Sequence, residues 1–397
     1  MAALLSLEEA QGRILDRVER LPVETVPLES AAGRVLAAAA TSRTDLPPFD
    51  SSAMDGFAVR SADTPGQLPV VARIAAGRPA PRDLDTGEAM AIATGGAVPG
   101  GADAVIPLED VVDRDNEVEI AERVESGANV RPRAGDLRAG EVVVRAGVLL
   151  GAAQVGALAA AGIPNIVSAR RPTAAVLATG SELRRPGETL EPGQVYEANG
   201  VILAAQLGSA GAVVRRLEPV ADDVDAHRRE LQAGLEADVL VTSGGVSVGP
   251  HDLVRSVGAD LGIEEVLWGV AVKPGKPLWF GVRDRTLVFG LPGNPVSSLV
   301  CFELFVRPAV LALQGVAEPL PRFEPGRLAT GVRPNPARTE LVRARSRVVD
   351  GEVELDVLSG QESHMIARAA GADALVLVPA GDEELAARAS VSFLRLA

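Results

Sequence analysis

TSGGVSVGPHD, Thr242 to Asp252, comes directly after an apolar run, Ala237 to Val241, that reads as a buried strand. Gly244, Gly245 and Gly249 let the backbone approach a ligand without side-chain obstruction. Two serines and a terminal aspartate add hydroxyls and a carboxylate. A strand, a Gly/Ser turn and then a helix is how α/β proteins build anion and nucleotide sites. The stretch is not a P-loop, because no Gly-Lys-Ser/Thr follows, and it is not the dinucleotide fingerprint. It predicts a phosphate-like ligand beside a carboxylate able to hold a metal; the bland alternative is a tight turn.

Outward from this stretch the chain alternates strand and helix from Pro172 onward. Strands are expected at Ala174 to Ala178, Ala212 to Leu217, Val239 to Thr242, Leu278 to Val282 and Thr286 to Phe289. Helices are expected near Asn199 to Leu207, Asp223 to Gly234, Asp252 to Val257 and Val296 to Leu313. That is a mostly parallel sheet with helices on both faces. LATGSEL, Leu177 to Leu183, sets Thr179, Gly180, Ser181 and Glu182 at a strand's carboxyl end, where such sheets bind ligands. Glu182 reads as a metal ligand or as a helix-start charge, and Asp222 and Asp223 as caps of the next helix. In VKPGKP, Lys273 and Lys276 flank a stiff turn and make an anion clamp. In GLPGNPVSS, Asn294 reads as an N-cap and Pro295 as the first helical residue, with Ser297 and Ser298 in an anion-ready first turn.

The N-terminal half differs. Ser6 and Glu9 form a capping box, and Leu7, Ala10, Ile14, Val18 and Leu21 mark one face of a helix ending before Pro22. Thr41 to Gly140 carries short alternating segments (Ala89 to Ala93, Ala104 to Pro107, Val118 to Ile120) broken by Gly, Pro and Asp, which predicts a β-rich domain with long loops. Within it PPFDSSAMDGFAV, Pro47 to Val59, is a charged loop with Asp50 and Asp55 that Met54 and Phe57 can anchor; Asp55-Gly56 is also readable as a plain turn. Thr94 opens a Gly/Pro loop, and RPRAGD, Arg131 to Asp136, is an anion contact or a surface turn. Gly147 to Ile163 is apolar but holds Gln154 and glycines, so it reads as a packed helix, from about Ala152 to Ala161, and not a membrane span. Pro319, Pro321 and Pro325 introduce a final region of short strands.

Composition limits function. A chain of 397 residues needs roughly two to four domains. Its 53 acidic and 39 basic side chains leave a formal charge of −14, which disfavours nucleic acid. One cysteine, Cys301, allows no internal disulfide and reads as a small core residue. Three histidines make a His/Cys zinc site improbable. The N-terminus lacks the basic flank of a signal peptide, so a soluble, cytoplasmic protein is expected.

The ordered series PPFDSSAMDGFAV, ATGGAVPGGADAVI, RPRAGD, LATGSEL, TSGGVSVGPHD, VKPGKP and GLPGNPVSS resembles the molybdopterin molybdenumtransferase family, the MoeA-type proteins that include the gephyrin E domain. The resemblance runs from about residue 6 to the C-terminus. It implies a multidomain α/β protein: a molybdopterin-adenylyltransferase-like α/β domain (1–22 plus 172–318), a linking domain (23–40 plus 141–171), an inserted β-rich domain (41–140) and a C-terminal β-barrel-like domain (319–397). It also implies a homodimer with the active cleft shared between subunits, Mg²⁺, molybdate and adenylylated molybdopterin as substrates, and an adenylyltransferase partner. Carried over by motif, Asp55, Thr94 and Asp136 come from the inserted domain, and Glu182, Asp223 and Asp252 from the α/β domain. Lys273 and Lys276 form the basic clamp, and Glu182 and Asp252 are the implied metal ligands. Gly244, Gly245, Ser247, Ser297, Arg343 and Ser363 hold the pterin nucleotide or the oxyanion. The family often has an aspartate where Ser181 stands and a hydroxylated aromatic where Phe57 stands. Competing readings are an adenylyltransferase acting on the apo-pterin and a scaffold like the gephyrin E domain.

Overall fold

The computed structural model describes residues 4–245 and 253–396. Its central sheet runs in the order Val213–Arg216, Thr173–Ala178, Val239–Ser243, Thr286–Leu291, Trp279–Arg283, Glu264–Trp268. The first four strands are mutually parallel and the last two antiparallel to their neighbours. Alternate residues of these strands enter two cores. Val176, Val241 and Phe289 pack with Leu203 and Val300 on one face, whereas Leu177, Leu240 and Val288 pack with Leu231 and Val254 on the other. Both faces being covered explains why the strands read as near-continuous apolar runs.

The Ser6–Glu9 capping box forms. The helix it starts, Leu7–Leu15, ends earlier than the apolar spacing predicts. Arg17 instead pairs with Glu264 at 2.6 Å, and Leu21 reaches the core from irregular chain. The long C-terminal helix of the α/β domain is continuous from Pro295 to Leu313 but passes through a π-helical stretch, Phe302–Val306. Pro308 has no N–H to return to the Leu304 carbonyl four residues earlier. Gln11 of the first helix fills that role, its Nε2 donating to Leu304 O at 2.9 Å. This stretch is long and apolar enough to cross a membrane, but 72% of it is buried within the fold, as a core helix is.

Around this domain lie three smaller units. Val23–Pro27 pairs antiparallel with Asn165–Ala169, and the helix Ala152–Ala160 covers their core through Leu158. The helix lies where the sequence places it, at about Ala152 to Ala161, inside the apolar stretch Gly147 to Ile163. A bidentate Arg170–Asp238 contact at 2.7 and 2.6 Å fastens this unit to the central sheet. The β-rich sheet runs Ala104–Pro107, Gly56–Val59, Ala89–Ile92, Gly66–Ile74, Glu117–Ile120, Val111–Asp113. Gly56 opens a buried strand rather than sitting in a turn: a Cβ there would lie 1.9 Å from Ile106 O. Near the C-terminus, Thr339–Val349, Glu352–Val357, Phe323–Leu328, Ser390–Arg395 and Ala374–Val378 close into a barrel, the last strand pairing back with the first. The short strand Val272–Lys273 adds to Thr339–Val349 in parallel, joining the α/β domain to the barrel.

Candidate active site

Three parallel strands end on one edge of the central sheet. The loops that follow them begin at Thr179, Gly244 and Pro292, and they line a cleft of about 570 Å³. Gly244 has φ +92°, and a Cβ would meet the Thr179 carbonyl and hydroxyl at 2.7 Å. The glycine pair is therefore demanded by loop-on-loop packing as well as by any ligand. Asn199 locks the mouths together, donating from Nδ2 to Ser243 Oγ and to Gly293 O, both at 2.7 Å.

Carboxylates gather in this cleft. Glu182 and Asp222 line it and are exposed. Ser181 Oγ donates to Asp222 Oδ2 at 3.5 Å and accepts the Asp222 N–H at 3.2 Å, so this serine orients one carboxylate. Asp223 does not line the cleft. It caps the helix Val224–Gly234, accepting from Ala226 N at 2.7 Å. Glu197, only 2% exposed, also lines the cleft and is held by Arg216 at 2.7 Å and by the Gly200 N–H at 2.5 Å. Oxygen donors of this kind suit Mg²⁺, which takes one or two carboxylates and leaves its other positions to water and substrate phosphates. No group of three or more His, Cys, Asp or Glu arranged for a metal is found among the described residues. Ser247, His251 and Asp252 lie outside those residues, so the Glu182 and Asp252 pairing is not described.

A second cleft, about 590 Å³, adjoins the first and shares Asn294 and His364 with it. Lys273, Lys276, Ser297 and Ser363 line it. Lys273 is paired with the mostly buried Glu340 at 2.9 Å, while Lys276 is exposed and has no ion pair among the described residues. The Asn294 side chain makes no cap bond; its Nδ2 donates to Ser363 Oγ at 2.9 Å, and Ser363 O accepts Val296 N–H at 3.0 Å. One of the expected free helix-end donors is thus already used.

Arg343, expected at the oxyanion, sits behind the cleft wall. It is 2% exposed and does not line the cleft; its guanidinium donates to the carbonyls of Gly360, Glu362 and Met365 at 2.8, 3.2 and 3.0 Å. It holds together the loop that presents Ser363 and His364. Burial pulls its guanidinium below the ordinary arginine value.

Asp55, Thr94 and Asp136 lie in the β-rich unit and line neither cleft. Thr94 donates its backbone N–H (2.6 Å) and hydroxyl (2.9 Å) to Asp55 Oδ1, holding that carboxyl below its usual range. Met54 is 40% exposed, so Phe57 alone anchors the loop. The RPRAGD segment is a turn: Arg133 pairs with Asp45 at 2.5 Å and its N–H donates to Asp50 at 2.6 Å. Cys301 is fully buried, its thiol pushed up to about 12 by burial, as a core residue is.

Residues 5–162 match the family model of the MoeA N-terminal region (domain I and II). Residues 175–312 match that of a probable molybdopterin binding domain, and residues 325–396 that of the MoeA C-terminal region (domain IV). Molybdopterin molybdenumtransferase 2 of Mycobacterium tuberculosis is 35% identical over 96% of this chain and 97% of its own. The chain belongs to the molybdopterin molybdenumtransferase (MoeA) family. The Staphylococcus aureus molybdopterin molybdenumtransferase is 29% identical over 98% of this chain and 95% of its own. Two crystal structures of the Pyrococcus horikoshii MoeA protein superpose with TM-scores of 0.84 (27% identity, covering 99% of this chain and 100% of that one) and 0.79 (32% identity, 99% of each).

Within this MoeA-type chain, sequence reasoning missed Asn199, Glu197, Arg338 and His364. Arg338 lines the second cleft and has no ion pair among the described residues. Its signal was available: Arg338 precedes the strand that pairs with Val272–Lys273, so topology puts it beside the lysines.

Proposed function

We propose that this chain joins molybdate to the dithiolene of adenylylated molybdopterin, releasing AMP and forming the molybdenum cofactor. The observation that carries the reading is the junction of two clefts of opposite character at Asn294 and His364. The first offers carboxylates and glycine loops, which suit a metal-bridged pyrophosphate. The second offers Lys273, Lys276 and Arg338 with the Ser297 and Ser363 hydroxyls, which suit a dianion such as molybdate.

Glu182 and Asp222, with Asp252, would hold Mg²⁺, and the ion would supply charge neutralisation for phosphoanhydride cleavage. The Thr179, Gly244 and Gly245 loops, with Ser247, cradle the pterin nucleotide. Asp223 acts from behind, by fixing the helix that follows Asp222. Positioning and electrostatics do most of the work.

The protein works as a homodimer. Asp55, Thr94 and Asp136 line neither of these two clefts, so the β-rich domain of a second copy is the natural way to bring them to one. The domain division is 1–22 plus 172–318, 23–40 plus 141–171, 41–140 and 319–397; the second and third units have cores of their own, while the α/β core continues into the barrel through Leu341, Leu375 and Leu394. A molybdopterin adenylyltransferase hands over the substrate in the cytoplasm.

The test is AMP release from the purified chain given adenylylated molybdopterin and Mg²⁺, with and without molybdate. Molybdate-dependent release with formation of active cofactor supports the transferase. Formation of the adenylylated compound from ATP and molybdopterin would instead support the adenylyltransferase reading, and no turnover of either kind the scaffold.

A further inference from the structure

The described lining residues common to both clefts are Asn294 and His364. Asn294 has no titratable group and its amide is committed to Ser363. His364 is exposed, and no hydrogen bond to its ring is found among the described residues. The backbone beneath it is nonetheless fixed. Arg343 binds the carbonyls of Gly360, Glu362 and Met365, and Val296 N–H binds the carbonyl of Ser363. The result is a free imidazole on a rigid base at the junction. His227, by contrast, is 1% exposed with Nδ1 2.9 Å from Asp223 O, a structural histidine.

Under the transferase reading, on which this inference rests, that junction is where dithiolene meets molybdate. Joining molybdate to a dithiol is ligand exchange with no change of oxidation state. Two S–H bonds break, and the sulfur electron pairs form two Mo–S bonds. One molybdenum–oxygen bond breaks, and that oxygen leaves as water carrying both protons. Something must move protons from sulfur to the departing oxygen. Imidazole is the side chain that takes and gives a proton near neutral pH.

We propose that His364 is a catalytic proton carrier for molybdate insertion: it takes a thiol proton from the dithiolene and delivers it to the departing oxygen of molybdate. Each turnover returns the ring to its starting state. Lys273, Lys276, Arg338 and Glu362 line the oxyanion side of the junction. Glu182, Glu197 and Asp222 line the other. The ring stands between these two sets of charges.

His364→Gln is compared with wild type for AMP release and for molybdenum retained after gel filtration, across about pH 5 to 8. Wild-type insertion is expected to fall toward the acid end of that range, because only a neutral ring can accept the proton. H364Q is expected to insert molybdenum on the order of 100-fold more slowly. It also loses that acidic limb and recovers part of the rate with added imidazole. Wild-type rate and profile in H364Q would overturn the proposal. So would a uniform loss with the acidic limb intact and no imidazole rescue, since that is the mark of a merely shape-filling side chain. A wild-type chain that neither releases AMP nor takes up molybdenum overturns the transferase reading first, and this proposal with it.

Discussion

Arg343 Nη2 lies 2.8 Å from the carbonyl oxygen of Gly360, the first of three loop carbonyls that its guanidinium gathers. The planar fork matters, because one ammonium cannot span three acceptors in this arrangement. Arg343→Lys is expected to cost roughly 2 to 4 kcal/mol by leaving buried carbonyls short of donors. Urea denaturation gives the stability loss. Isothermal titration with molybdate should show weaker binding, because Ser363 rides on the same loop.

Gln11→Leu removes the amide that serves the Leu304 carbonyl and is expected to destabilise the α/β domain by roughly 1 to 3 kcal/mol. Gln11→Glu should be worse, since a carboxylate cannot donate. A midpoint in urea equal to wild type for both variants would show that the carbonyl finds another partner.

Lys276 and Lys273 separate into different roles. Lys276→Ala should weaken molybdate binding about tenfold, the scale of one lost charge-assisted bond, with the melting temperature unchanged. Lys273→Ala should weaken binding too but also lose about 1 kcal/mol of stability, because Glu340 keeps its charge without its partner. Paired calorimetry and thermal melts distinguish the two; identical melts would dissolve the distinction.

Asp55 should titrate below an ordinary aspartate in a carbon-detected NMR titration. Its folded value is depressed, so the Thr94 contact contributes stability above the unfolded pKa, about 3.9, and loses it as pH falls through the lower folded value. Thr94→Ala should move Asp55 only part of the way back, because the larger cause, the backbone N–H, survives.

The sequence displayed the α/β layout clearly because its strands are covered on both faces and so read as apolar runs, Ala174 to Ala178 and Val239 to Val241 among them. The Ser6 capping box was equally legible, since it is local. What depended on tertiary approach was not. The Asn294 amide turns to Ser363, a residue 69 positions away, instead of capping its own helix. The shift of cleft carboxylate from Asp223 to Asp222 follows from a Ser181 hydroxyl 41 positions earlier. The family resemblance offers Arg343 for the oxyanion, and only the folded loop after its strand shows the guanidinium committed to three carbonyls.

The helix Leu7–Leu15 also sets an order of events during synthesis. On the ribosome it emerges early, but its Leu304 contact is made 293 residues later. At about 5 to 20 residues per second, that is roughly 15 to 60 seconds with its apolar face unclaimed. The intervening β-rich segment has strands and a core of its own and can complete them in that interval. The α/β domain is therefore the last of the first three units to close, although the chain starts building it first, and nascent-chain chaperones have their longest access to Ala10 and Ile14.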